Sequence, residues 1–90
     1  MKQVILDCAQ IEDRRQLHEA LARELVFPDW YGHNLDALHD CLTELPEETK
    51  LILSGWKRLQ DRLGDYAARL IYVLHCSSEE NPNFQVDLEA

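Results

Sequence analysis

Two short, wholly apolar runs do most to limit how this 90-residue chain can fold. Val4-Ile5-Leu6 and Leu51-Ile52-Leu53 are rich in strand formers and contain no polar position, so each predicts a strand buried on both faces. The long segment between them, residues 7–50, shows helical periodicity. Parallel strands joined by a helical crossover are therefore predicted.

Cap residues and prolines set the predicted helix boundaries. Asp13, with Gln16 three residues later, is a plausible capping arrangement for a first helix over Arg14–Leu25. Pro28 forbids continuation and makes Phe27 extended. A second helix, with an apolar stripe of leucines, is expected after the N-cap residue Asn34 and before Pro46. The stripe comprises Leu35, Leu38, Leu42 and Leu45.

The second half of the chain predicts two more helices and a third strand. A short helix begins near Trp56 and ends at Gly64, and Asp65 is expected to cap the fourth helix. The polar segment 77–83 predicts a loop, and the alternation of Phe84, Val86 and Leu88 with polar residues predicts a half-exposed edge strand. The inner face of the fourth helix would be Leu70, Ile71, Val73 and Leu74.

These elements predict an α/β fold with a three-stranded parallel β-sheet packed with about four α-helices. The first strand is expected at the centre of the sheet, because the last one has the pattern of an edge. Residues 1–90 are too few to divide into separate cores, so a single domain is expected.

Charge and cysteine usage restrict the partners and the compartment. Seventeen acidic against nine basic residues give a net charge of −8, which disfavours direct contact with nucleic acid or membrane and favours a basic partner, although charge alone also fits solubility. No signal peptide or membrane-spanning stretch is evident. Cys8, Cys41 and Cys76 form no paired motif, so reduced thiols and a cytoplasmic location are expected.

The acidic charge is concentrated in one window. Residues 24–49 contain seven acidic residues and no Lys or Arg. Asp36, Asp40 and Glu44 fall at i, i+4 and i+8 of the second helix, nearly opposite its leucines, where like charges cost about 0.2–0.5 kcal/mol per pair. This stripe is either an ordinary solvated face or a surface kept for a partner. The nearby aromatic residues favour a surface kept for a partner, although the ring of Tyr31 could equally well pack in the core.

Other chemistries fit less well. Paired carboxylates serve acid–base catalysis only in a cleft with unlike environments, so no enzyme activity is expected from an outward helix face. His33, Asp36, His39 and Asp40 match no zinc spacing, and Cys41 is expected to point to the apolar side. Three scattered glycines cannot form a phosphate loop. No metal or cofactor is therefore expected.

The run Tyr-Gly-x-Asn-Leu-Asp-Ala-Leu-x-Asp-Cys-Leu-Thr at Tyr31 to Thr43 closely resembles the barstar family. Leu17-His18, Glu24-Leu25 and Trp56 agree as well, and the similarity spans essentially the whole chain but weakens after Gly64. Members of this family are intracellular inhibitors of extracellular-type ribonucleases. The resemblance implies a three-stranded parallel sheet surrounded by helices and a basic ribonuclease, or a related toxin, as partner.

The resemblance also implies roles for individual residues. Asp40 would take the place of the substrate phosphate before the Arg and His residues of the enzyme, and Asp36 would meet a second basic group. Trp30 would pack near the catalytic histidine of the enzyme, with Gly32 and Asn34 shaping the same edge. The implied partner-binding set is Trp30, Tyr31, Gly32, Asn34, Asp36, His39, Asp40, Thr43 and Glu44.

Three departures from the best-known family member affect the rim of this surface. His39 replaces a tryptophan, and Glu44-Leu45 replaces a Gly-Trp pair. The acidic residue of the fourth helix aligns near His75-Cys76, with Glu79 and Glu80 a turn away, so either glutamate is a candidate substitute. The alternative function is an immunity or regulatory adaptor of the same fold that binds a basic non-ribonuclease protein or toxin.

Overall fold

The computed structural model describes residues 1–89, which contain three strands and four α-helices in the predicted order. A short 3-10 turn at Cys8–Gln10 follows the first strand. The elements are β1 (Lys2–Asp7), α1 (Arg14–Leu25), α2 (Leu35–Thr43), β2 (Thr49–Ser54), α3 (Trp56–Leu63), α4 (Asp65–Glu80) and β3 (Phe84–Glu89).

The three strands form one parallel sheet in the order β1-β2-β3, so the central strand is β2. The prediction that the first strand is central is wrong, because each helical crossover carries the chain one strand further in the same direction. The prediction that β3 is an edge strand is confirmed. Neighbouring residues in the register include Val4, Leu51 and Val86.

Burial of the two apolar runs follows this strand order. Leu51, Ile52 and Leu53 of β2 are all buried, as predicted for a strand covered on both faces. In β1, by contrast, Val4 is buried but Ile5 is 63 % exposed. The prediction that β1 is buried on both faces is therefore wrong. The face of β1 that carries Ile5 is exposed, whereas both faces of β2 are buried.

The first helix begins and ends where its sequence predicts. Asp13 Oδ1 accepts a hydrogen bond from the Gln16 amide at 2.8 Å, and Gln16 Oε1 accepts one from the Glu12 amide at 2.8 Å. These bonds satisfy amides that the helix start would leave unpaired. Val26 then takes a left-handed conformation with φ of 56°, which turns the chain away before Pro28.

The fourth helix is longer than predicted at its C-terminal end. Segment 77–83 was predicted to be a loop, whereas α4 continues to Glu80 and buries Ser77 completely. Ser77 continues the buried face of Leu70 and Leu74 at helical spacing, and its hydroxyl has a partner on α2. Asp65 was expected to cap this helix, but it lies in the first turn and Gly64 occupies the cap position.

The core is built mainly from leucines of the four helices packed on the sheet. Cys8 and Cys41 are buried within it and, like Cys76, are free thiols. Burial, with a smaller contribution from Asp7, raises the pKa of Cys8 to about 11, which makes that thiol unreactive. Within residues 1–89, no helix is both long enough and apolar enough to cross a membrane. Fully buried leucines are Leu17, Leu21, Leu38, Leu42, Leu51, Leu53, Leu59, Leu70 and Leu74.

One polar group in the core ties three parts of the chain together. His18 of α1 is 1 % exposed, and its Nδ1 and Nε2 atoms lie 2.6 Å from the hydroxyls of Tyr31 and Tyr66, respectively. A neutral imidazole carries one donor and one acceptor, so one tyrosine accepts from the ring and the other donates to it. The loop before α2 and the first turn of α4 are thereby fixed to α1.

Burial, with a smaller contribution from the neighbouring His33, lowers the pKa of His18 to about 4. Between pH about 6.5 and about 4, the unfolded chain therefore binds a proton that the folded protein does not bind at this site. The free energy of unfolding should fall as pH falls through this window, by at most about 1.4 kcal/mol per pH unit from this group.

Urea unfolding of the wild type and of His18→Gln, measured from pH 7 down to pH 4.5, checks this. We expect the variant to be less stable at pH 7 but to lose less stability on acidification, because a glutamine side chain does not titrate. The carboxylates titrate in both proteins, so their effect cancels in the comparison. Parallel pH dependences in the two proteins would contradict the assignment.

Candidate protein-binding site

The start of α2 is fixed by Asn34. Its Oδ1 accepts from the Ala37 amide at 2.8 Å, which confirms the predicted N-cap, and its Nδ2 donates to the Gly32 carbonyl at 3.1 Å. A Cβ at Gly32 would lie 3.1 Å from that Nδ2 atom, so a larger residue would disturb the cap. Gly32 and Asn34 therefore set the shape of the turn that leads into the helix.

The three carboxylates of the predicted stripe, Asp36, Asp40 and Glu44, are all exposed, and we call them the acidic face. None of them forms an ion pair within residues 1–89. Asp36 lies in the first helical turn, where the helix dipole favours a negative charge. The face is therefore exposed and uncompensated, as the sequence predicts.

One position differs from the prediction. Glu44 was placed inside the helix, whereas α2 ends at Thr43 and Glu44 is the C-cap residue, with its amide bonded to the Cys41 carbonyl at 3.3 Å. The Thr43 hydroxyl lies 3.0 Å from both the His39 and the Asp40 carbonyl oxygens and can share its one proton between these carbonyls of the last turn.

The two aromatic residues before α2 have different surroundings. Trp30 is 71 % exposed, while Tyr31 is 4 % exposed and its ring centroid lies 4.9 Å from that of Phe27. Of the two alternatives that the sequence left for Tyr31, the core is right. Its hydroxyl is already engaged by His18, and burial raises the pKa of the phenol. Tyr31 thus supports the loop, and Trp30 is the ring that is exposed to solvent.

His39 connects α2 to the end of α4. Its Nε2 lies 2.6 Å from Glu80 Oε2, and its Nδ1 lies 3.0 Å from the Ser77 hydroxyl. Because a carboxylate only accepts, the ring donates its Nε2 proton to Glu80, and both ring nitrogens are thereby engaged with α4. The His39 side chain stays 34 % exposed, so one ring edge faces solvent beside Asp40.

Sequence reasoning missed this contact between α2 and α4. Glu79 and Glu80 were left as equal candidates for the acidic residue of the fourth helix, and Glu80 is the one that reaches α2. The missed signal was the spacing of Ser77 from Leu70 and Leu74, which extends the helix far enough to place Glu80 beside His39. A second contact between the end of α4 and α2 comes from Asn81, the C-cap residue of α4. Its Nδ2 donates to the Leu42 carbonyl at 2.9 Å and so binds a carbonyl at the C-terminus of α2.

The same surface offers no evident site for a metal or a reactive thiol. Within the part of the chain that the structure describes, no three His, Cys, Asp or Glu side chains are grouped to hold a metal ion. Cys41 is buried as predicted, and its pKa is raised by burial first and then by Glu44 and Asp40. What the surface does present is carboxylates, an exposed indole and an imidazole edge.

Comparison with known proteins agrees with the fold and the motif. The model of the family described as Barstar (barnase inhibitor) matches residues 1–89. A protein of Bacillus subtilis (strain 168) named "Putative ribonuclease inhibitor YrdF" is 38 % identical over 93 residues, which cover 99 % of this chain and 100 % of that protein. With the parallel sheet, the four helices and this near-complete match, the resemblance carried by Tyr31 to Thr43 is confirmed: the chain belongs to the barstar family.

Proposed function

We propose that this chain inhibits a basic, extracellular-type ribonuclease by placing α2 and the loop before it in the active site of the enzyme. The observation that carries the proposal is the exposed, unpaired acidic face beside the exposed ring of Trp30. The description of the matched family and the name of the B. subtilis relative support the same function.

The chemistry of a ribonuclease makes it a suitable partner for such a face. The enzyme must hold phosphate groups, so its cleft is rich in cationic donors. Carboxylates that occupy the phosphate positions accept charge-assisted hydrogen bonds, which are bidentate where the donor is Arg. In this proposal Asp40 is the central anchor, because it lies between Asp36 and Glu44, four residues from each. The partner is thus a protein, and the chain makes no direct contact with nucleic acid.

The remaining residues of the surface fill supporting roles in this proposal. Trp30 supplies apolar contact area next to the charges, which is typical of an interface hot spot. His39 contributes the solvent-facing edge of its ring, while Thr43 and Glu44 form the rim at the end of the helix. Gly32 and Asn34 form the edge before the helix.

The free protein already holds α2 in place for binding. Asn34 caps its start, Asn81 closes its end, and His39 fastens its middle to α4. Little conformational entropy is then lost on association. The like-charge repulsion along the acidic face is present before binding, and the cations of a partner relieve it, which adds to the affinity.

The first test compares two variants that remove the same charge. Asp40→Ala should weaken inhibition by at least about 2 kcal/mol, roughly thirtyfold in Kd, because Asp40 is placed at the centre of the interface. Glu48→Ala, in the exposed loop after α2, should change Kd by less than about threefold. Kd is measured by titrating each protein into RNA-cleavage assays with a panel of basic extracellular ribonucleases that includes barnase.

The matched charge loss makes the comparison specific. Long-range attraction to the enzyme falls by one charge in both variants, so any difference reports position. Equal small effects of the two substitutions would remove Asp40 from its proposed role. Binding of a basic partner without inhibition of RNA cleavage would favour the adaptor alternative.

A second test uses salt. Opposite fields of the acidic face and the basic cleft speed encounter, a mechanism whose reference case is the barnase–barstar pair of this same family. Stopped-flow association should slow steeply as ionic strength rises, because a Debye length shrinks from about 10 Å at 0.1 M to about 3 Å at 1 M.

Trp30→Ala provides the control for the salt test. It should raise the dissociation rate, since apolar contact is lost, and leave the salt dependence of association as in the wild type. An association rate insensitive to salt in the wild type would argue against electrostatic docking.

A further inference from the structure

A cleft of about 570 Å³ lies beside the N-terminal end of the acidic face. The first turns of α1, α2 and α4 meet there, and three arginine side chains converge on it. We call it the basic cleft. It is lined by Arg14, Arg15, His33, Asn34, Leu35, Asp36, Tyr66 and Arg69.

Two of these arginines lack a carboxylate partner. Within residues 1–89, neither Arg14 nor Arg69 forms an ion pair, whereas Arg15 lies 3.7 Å from Glu19. Other basic residues of the chain also lack an ion pair, so what distinguishes Arg14 and Arg69 is that both line the same cleft. The guanidinium fork of an arginine suits bidentate recognition of an oxyanion.

Arg14 is held in position by its neighbours. Its Cζ atom lies 4.3 Å from the centroid of the Tyr66 ring, a cation–π distance. The Tyr66 hydroxyl is in turn fixed by buried His18 at 2.6 Å. One wall of the basic cleft is therefore connected through Tyr66 to the buried His18. Arg14 is held before any ligand arrives, so it would lose less conformational entropy on binding an anion.

The basic cleft is continuous with the surface assigned to the enzyme. Asn34 and Asp36 line the cleft and also belong to the proposed partner-binding set. A protein seated on α2 therefore extends over the cleft without a change of orientation. A free anion has no such advantage, because the net charge of −8 repels it, whereas an anion carried by a partner held on α2 is present at high effective concentration.

We propose that Arg14 and Arg69 bind acidic side chains of the same ribonuclease, located on the enzyme next to its basic active-site cleft. This inference rests on the proposed function. It gives the interface two adjacent regions of opposite charge, so that a partner must match both. A basic protein that lacks carboxylates at this place binds less well, which makes the basic cleft a determinant of specificity.

The sign of the mutational effect tests the inference. The proposed enzyme is basic, so removal of a positive charge from the inhibitor at a remote position leaves binding unchanged or improves it. If Arg69 or Arg14 contacts a carboxylate of the enzyme, its removal weakens binding instead. Arg58 of α3 is the matched control, since it is exposed and forms no ion pair within residues 1–89.

The experiment measures Kd of the wild type, Arg14→Gln, Arg69→Gln and Arg58→Gln for the panel ribonuclease that the wild type binds most tightly. We expect Arg69→Gln and Arg14→Gln each to weaken binding about three- to tenfold, and Arg58→Gln to leave Kd unchanged or lower it by up to about twofold. Arg69→Gln removes no ion pair, so it tests the cleft even if loss of the Arg14–Tyr66 contact lowers stability.

The outcomes separate this inference from the proposed function. If the wild type binds and Asp40→Ala weakens binding while both cleft variants behave like Arg58→Gln, only the inference is overturned. Failure of the wild type to bind any panel enzyme overturns both. A further measurement titrates inorganic phosphate into the free protein and follows NMR shifts of the residues that line the basic cleft. If phosphate shifts these residues while the cleft variants bind the enzyme as tightly as the wild type, the cleft binds a free anion and the proposed contact with the enzyme is overturned.

Discussion

The hydrogen bonds of His18 hold α2 and the loop before it in place. A buried imidazole joins α1 to Tyr31 in the loop before α2 and to Tyr66 in the first turn of α4. Without it, two tyrosine hydroxyls would lose their partner inside or at the edge of the core, at a cost of about 1–3 kcal/mol for each group left unsatisfied. Tyr31 in turn positions the turn at Gly32 and the cap at Asn34, on which the direction of α2 depends.

With α2 fixed, its two faces perform opposite tasks. Leu38 and Leu42 are fully buried against the core, which compensates for the repulsion among the carboxylates on the other side. His39 lies between the two faces and binds Ser77 and Glu80 of α4. The acidic face is therefore presented at fixed positions. In the proposed complex, the cationic cleft of the enzyme would relieve a repulsion that is already present in the folded free protein.

Local signals in the sequence were enough for the caps and helix starts, because Asp13 and Asn34 bond to amides three residues away. Tertiary partners were not visible in the same way. Tyr31 was left undecided and Ser77 was placed in a loop, because their partners lie 13 and 38 residues distant. Strand order was wrong for a similar reason: an apolar run indicates a strand but carries no information about its neighbours. The family was recognisable from Tyr31 to Thr43, since that run combines the turn, the cap and two carboxylates of the acidic face.

Competition with a nucleotide tests most directly whether the acidic face occupies phosphate positions. A mononucleotide bound in the active site of the ribonuclease holds the cationic groups that Asp40 and Asp36 are proposed to reach. Calorimetric titration of the inhibitor into enzyme at increasing nucleotide concentration should show an apparent Kd that rises in proportion to the nucleotide, as competitive binding requires. An apparent Kd that stays constant at saturating nucleotide would show that the inhibitor binds elsewhere on the enzyme and would contradict the account.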